Sequence, residues 1–117
     1  MQKKTNRMKT VILDFNIEGF HKYPNAPEQV VFLAHLHRHI FQIRVGYKVE
    51  HSNREKEIFI EQDNIKHYLT ESYGAPCEFD NMSCEMIAEE ILLYAKHDGC
   101  VWVEVFEDGK GGARVEL

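Results

Sequence analysis

Two long segments of the chain alternate apolar and polar residues with a period of two, and this pattern demands a sheet before anything else. From Thr10 to Phe20, Val11, Leu13, Phe15 and Ile17 fall on one side, while Asp14, Asn16 and Glu18 fall mostly on the other. From about Leu36 to Glu50, Phe41, Ile43, Val45 and Tyr47 repeat it. Strand side chains alternate faces, so each segment is a half-buried strand that needs an apolar layer over one side. Two helices supply that layer. The first is expected from about Glu61 to Tyr73, with Ile65, Tyr68, Leu69 and Ser72 at helical spacing and Gly74-Ala75-Pro76 as its stop. The second has Ser83 as its N-cap, Glu85 in its first turn, an apolar stripe of Ile87, Ala88, Ile91, Leu92 and Ala95, and Asp98-Gly99 as its end. Two last strands follow. Cys100 to Glu107 turns Val101, Val103 and Val105 inward, and Ala113 to Leu117 is joined to it by a hairpin over Asp108-Gly109-Lys110-Gly111-Gly112.

The order strand, strand, helix, helix, strand, strand implies an α+β fold: a four-stranded antiparallel sheet with both helices on one face. With 117 residues there is room for one core, expected over residues 10–117, behind a polar, flexible leader at 1–9 in which Met8 could be a second start. That leader has no apolar h-region and does not read as a signal peptide. Between the first two strands, Tyr23-Pro24-Asn25-Ala26-Pro27 opens a loop, and Gln29 to Ala34 fits either a strand edge or a short helical turn. Residues 51–56 form a charged turn, and Glu57 to Ile60 is expected to be extended. No stretch approaches the roughly 18 apolar residues of a transmembrane helix, so no membrane role is expected. The 14 basic and 19 acidic residues give a formal charge of −5, which disfavours a nucleic-acid backbone as partner. Three cysteines, Cys77, Cys84 and Cys100, lack C-x-x-C spacing and fit free thiols in a reducing, cytoplasmic setting.

Function is expected where histidine concentrates. His35, His37 and His39 share the inward face of the second strand with Phe41. Two imidazoles two residues apart on a strand can meet at one point, and zinc takes His nitrogen at about 2.0–2.1 Å. The third ligand could be His35, or His21 at the end of the first strand if the two strands are antiparallel neighbours. The plain alternative is an ordinary polar strand face.

These segments, in their order, resemble the 6-pyruvoyl-tetrahydropterin synthase and 6-carboxy-tetrahydropterin synthase family of tunnelling-fold proteins. Ile17-Glu18-Gly19-Phe20-His21 is similar to the family's aromatic-x-Ala-x-His strand end, and Leu36-His37-Arg38-His39 to its Leu-His-Gly-His segment. Residues 59–66 resemble its helix entry, Asn81-Met82-Ser83-Cys84-Glu85 its Asn-Pro-Thr-Ser-Glu segment, and Val103-Glu104-Val105-Phe106-Glu107 the strand that carries its substrate-binding glutamate. The likeness runs from about Phe15 to the C-terminus. It implies that His21, His37 and His39 hold Zn2+, a Lewis acid toward the substrate's side-chain oxygens. It also implies that Glu107 anchors a pterin ring through paired N–H bonds, with Ser83 and Cys84 as further contacts. Family members assemble as trimeric barrels stacked into hexamers, so a homo-oligomer that closes its sheet edges is implied as well.

The departures fall on acid–base chemistry. Leu33 stands where the family has its catalytic cysteine, Arg38 replaces the glycine between the histidines and is expected to add bulk and a positive charge near the site, and no Asp-His pair lies between Leu69 and Asn81. The catalytic group is therefore unknown from sequence. His35 and Cys77 are the candidate replacement bases, with His67 behind them, each weighed against an ordinary structural role. Three readings follow: a zinc-dependent pterin lyase with altered acid–base residues, a non-catalytic binder of a pterin- or purine-like compound, and a structural oligomer whose histidines only join two strands.

Overall fold

The computed structural model describes residues 7–117. Its frame is a pair of 13-residue strands, β1 (Lys9–His21) and β2 (His37–Val49), antiparallel and in register from Lys9 opposite Val49 to His21 opposite His37. Three further strands complete the sheet: β3 (Cys77–Glu78), β4 (Cys100–Glu107) and β5 (Gly111–Glu116), in the order β3-β1-β2-β4-β5. The pairs β1–β2, β2–β4 and β4–β5 are antiparallel, where a four-stranded antiparallel sheet is expected. The sheet is nevertheless five-stranded and mixed, because β3 adds to β1 in parallel, with Gly19 opposite Cys77. At two residues it is too short to leave a periodic signal.

Helices α1 (Ile58–Tyr73) and α2 (Cys84–Ala95) cover one sheet face. The apolar stripes close over each other: Leu13 and Phe15 from β1, Phe41, Ile43 and Val45 from β2, Ile65 and Leu69 from α1, Ile87 and Ile91 from α2. Burying such a side chain contributes about 1.5–3 kcal/mol, so this double layer holds the sheet in one register. Helix α2 starts where its cap requires, with Ser83 Oγ accepting from the Met86 N–H at 3.2 Å. Residues 57–60, expected as extended, begin α1 instead. The Glu57 carboxylate accepts from the Ile60 N–H at 2.9 Å and caps the helix, leaving the apolar run Ile58-Phe59-Ile60 exposed. The segment Glu28–Ala34 is a kinked 3-10 helix.

Strand β4 departs from simple alternation. A bulge between its pairing with Gly46 and with Tyr47 makes Cys100, Val103 and Val105 the buried positions, and Val101 is only half-buried. The β4–β5 hairpin turns through Asp108 (φ 52°) and Gly109 (φ 68°), both left-handed as a type I′ turn requires. Of the expected leader at 1–9, residues 1–6 lie outside the described residues, and Lys9 already belongs to β1.

Candidate metal centre and its pocket

The stripe that builds the core continues past the helices and changes chemistry at its end. Along β2 the inward residues run Val45, Ile43, Phe41, His39, His37; along β1 they run Leu13, Phe15, Ile17, Gly19, His21; along β4, Val103, Val105, Glu107. Strand parity therefore delivers three imidazoles and a carboxylate to one corner of the sheet. Gly19 makes room for the aromatic rings packed beside that corner, since a Cβ there would lie 2.9 Å from the Phe79 ring and 3.0 Å from that of Phe41. His21 and His37 face each other across the ladder with ring centroids 4.5 Å apart, and His39 lies 5.1 and 4.9 Å from them.

One ring nitrogen of each histidine is spoken for by an oxygen. His21 Nδ1 lies 2.9 Å from Met82 O, His37 Nδ1 lies 2.9 Å from His35 O, and His39 Nδ1 lies 2.7 Å from Asp108 Oδ2. A carbonyl or carboxylate oxygen can only accept, so each Nδ1 carries the hydrogen and each neutral ring offers a bare Nε2. Held this way, the three residues can each offer one ligand atom to a metal ion, all within 4.8 Å of one another. Holding the outer nitrogen with an oxygen is how metal-binding histidines are usually oriented.

The inner nitrogens strengthen the fit. His21 Nε2 and His39 Nε2 are buried without a hydrogen-bond partner, and they face Glu107 Oε1 and Oε2 at 3.0 and 3.6 Å. Lone pairs then oppose a carboxylate, an arrangement that a cation between them turns from repulsion into attraction. A proton serves poorly, because burial, reinforced by the neighbouring His37 and His39, holds His21 below the ordinary histidine range despite the opposing pull of Met82 O and Glu107.

Beside the histidines opens a cleft of about 540 Å³, a size that suits a small molecule. His21, His37 and Glu107 line one side, and Ser83, Cys84 and Met86 at the start of α2 line another. The sequence-derived ligand contacts Glu107, Ser83 and Cys84 thus share one cavity with two of the histidines. Cys84 donates to Glu107 Oε1 at 3.6 Å, and burial together with that carboxylate pushes its thiol up to about 12, so it is no thiolate at neutral pH.

The candidate bases lie elsewhere. Cys77 is 2% exposed in the core, its Sγ 3.8 Å from Leu69 O, and burial raises its pKa. His35 precedes β2 rather than sharing its parity; its ring is exposed and only its carbonyl reaches the site. His67 is an exposed residue of α1 beside Glu71 at 3.6 Å. Leu33 does line the cleft, presenting methyl groups there. Arg38 does not bring its charge to the site, because one position between two inward histidines points outward, and it pairs with Glu18 on the far face. The residue that sequence reasoning missed is Asp108. Its Asp-Gly context announced the hairpin so fully that a second role for the carboxylate left no separate signal.

Fold and site together define an α+β domain with a three-histidine centre where the two longest strands meet. No family model matches the chain, and no curated protein is recognisably similar to it in sequence. Solved structures share its fold: 6-pyruvoyl tetrahydropterin synthase from Caenorhabditis elegans superimposes with a TM-score of 0.67 at 9% identity, covering 95% of this chain and 96% of the other. An uncharacterized protein from Wolinella succinogenes superimposes with a TM-score of 0.61 at 12% identity, covering 95% and 99%. The chain therefore has the fold of 6-pyruvoyl tetrahydropterin synthase, as the resemblance implied, with a group of three histidines able to hold a metal.

Proposed function

We propose that this chain is a zinc-binding, pterin-directed protein of the 6-pyruvoyl/6-carboxy-tetrahydropterin synthase type, diverged at its acid–base residues. The observation that carries the reading is a group of three histidines, each able to offer one ligand atom within 4.8 Å of the others, beside a cleft that also holds Glu107. Three neutral imidazoles suit zinc and leave a position free for a ligand, and zinc, when bound, acts as a Lewis acid on side-chain oxygens. His21, His37 and His39 hold the ion. Glu107, with its side chain one-third exposed, accepts paired N–H donors of the ring, while Ser83 and Cys84 contact the ring edge. Assembly into a homo-oligomer covers the outer edge of β5 and, before Gly19, the edge of β1 that faces away from β2, which has no strand partner among the described residues.

On this reading the chemistry is lyase chemistry at the pterin side chain. The second reading, a non-catalytic binder of a pterin- or purine-like compound on the same site, is favoured by Leu33, which lines the cleft and cannot move a proton. Zinc per chain in the wild type and in His37→Ala tests the metal: about one equivalent, lost in the variant, is expected, and no zinc in either rejects both readings. Incubation with dihydroneopterin triphosphate, followed by mass spectrometry, then separates them. A side chain cleaved or rearranged supports the lyase; ligand recovered intact but bound in a Glu107-dependent way leaves the binder.

A further inference from the structure

Two consecutive carboxylates approach opposite edges of one imidazole. Glu107 Oε2 lies 3.6 Å from His39 Nε2, on the side of the cleft, and Asp108 Oδ2 lies 2.7 Å from His39 Nδ1, on the side away from it. The two contacts differ in kind. The short one is a hydrogen bond that fixes where the ring's hydrogen resides, and the long one faces the nitrogen left bare by that choice.

Asp108 is itself held on three counts. Its Oδ1 accepts from the Ile40 N–H at 2.8 Å, its own N–H donates to Ile40 O at 2.8 Å, and it occupies a left-handed turn position at φ 52° that Asp tolerates better than most side chains. The hairpin thereby locks onto the strand residue that follows His39, and the carboxylate cannot follow the ring if the ring turns.

We propose that Asp108 is a positioning residue that fixes the tautomer and orientation of His39 and so presents a bare Nε2 to the centre formed with His21 and His37. The use of that nitrogen as a metal ligand rests on the reading given above; the tautomer does not. His21 and His37 receive the same service from main-chain carbonyls, Met82 O and His35 O, which no substitution removes directly. Asp108 is thus the member of this outer set that a single side-chain change can test.

The variant is Asp108→Asn. An asparagine keeps an oxygen for the Ile40 N–H and tolerates the left-handed turn, but turns an NH2 toward His39 Nδ1. A donor there selects the tautomer with its hydrogen on Nε2, which cannot bind a metal. Long-range proton–nitrogen NMR correlations on the metal-free protein read the tautomer directly. Expected are hydrogen on Nδ1 of His39 in the wild type, hydrogen on Nε2 in Asp108→Asn, an unchanged melting temperature of the metal-free variant, and zinc affinity about 10- to 100-fold lower by chelator competition. A wild-type His39 with its hydrogen on Nε2 overturns the proposal. So does Asp108→Asn with an unaltered tautomer, whether its zinc affinity is kept or falls together with its stability, since the turn would then be only structural. Should the wild type bind no zinc, the metal reading fails, and the tautomer comparison still decides the role of Asp108.

Discussion

His21 Nε2 and Glu107 Oε1 stand 3.0 Å apart without a hydrogen bond between them. The reason is that His21 spends its hydrogen on Met82 O, so two acceptors meet. Such a contact is a cost in the metal-free protein and an asset once a cation lies between the groups. Glu107→Gln puts an amide donor against the bare nitrogen. We expect the metal-free variant to be more stable than the wild type by about 1 kcal/mol, the size of a net neutral hydrogen bond, seen as a melting temperature roughly 4 °C higher in EDTA. On the proposed reading the same change also removes the carboxylate fork for a pterin, and pterin affinity is expected to drop. A metal-free variant that melts below the wild type contradicts this account of the contact.

The buried imidazole of His21 makes the metal-free fold sensitive to mild acid. Burial lowers its pKa in the folded state, while the unfolded chain titrates near the ordinary 6.5. Below pH 6.5 the unfolded state takes up the proton first and so binds more protons than the folded one, which makes stability rise with pH. The contribution is therefore complete above pH 6.5 and lost as pH falls from there toward the lowered folded value. Urea midpoints measured in EDTA between pH 7.5 and 5.5 are expected to decline, and His21→Asn, whose amide can still donate to Met82 O, is expected to flatten the decline. Equal slopes for both proteins would assign the acid sensitivity to other groups.

All three thiols are buried and shifted upward. Burial is the first cause in each, taking Cys84 to about 12 and Cys100 to about 11 and raising Cys77 as well. Thiolate is the reactive form, so a folded chain at pH 8 is expected to give almost no fast-reacting thiol with Ellman's reagent, and three once unfolded in guanidinium. The result bears on mechanism because Cys84 lines the cleft. A fast-reacting Cys84 in the folded protein would restore a proton-transfer group to the site that the structure denies it.

The parts of the site legible in the sequence are those that parity and order govern. His37 and His39 share a face because they are two apart, and His21 joins them because β1 and β2 pair in register over 13 residues. The same rule overturns the expectation that Arg38 brings its charge near the site, since it places the side chain on the opposite face beside Glu18. What stayed hidden depends on distant chain or on single atoms. Cys77 reads as a loop thiol until β3 attaches beside Gly19 and Phe79 packs on Phe41. His35 reads as a strand residue, but the 3-10 segment ends at Ala34 and β2 begins only at His37, which leaves it outside the ladder. Glu57 reads as extended because Ile58-Phe59-Ile60 is a β-like run, although its carboxylate caps a helix. Asp108 binds two partners from residues 39 and 40, a pairing across the sheet that no local pattern encodes.

The bulge in β4 rests on one residue that sequence periodicity does not flag. Gly46 of β2 pairs with Trp102, and a Cβ built on Gly46 would lie 2.2 Å from Trp102 Cε2 and 2.3 Å from Nε1. The indole packs against the bare Gly46 backbone, and the Arg114 guanidinium lies over the ring, 4.2 Å from its centroid. Arg114 in turn bonds Glu104 at 2.8 Å, so the glycine seats a stack that ties β2, β4 and β5 on the polar face. Gly46→Ala must displace the indole, a rigid group with neighbours on its outer side, and overpacking of this kind costs about 1–3 kcal/mol. We expect Gly46→Ala to lower the urea midpoint and to red-shift the emission of Trp102, the one tryptophan in the chain, while Trp102→Ala in the same background restores most of the lost stability. A double variant no more stable than Gly46→Ala alone would show that the cost arises in the backbone of the bulge rather than under the indole.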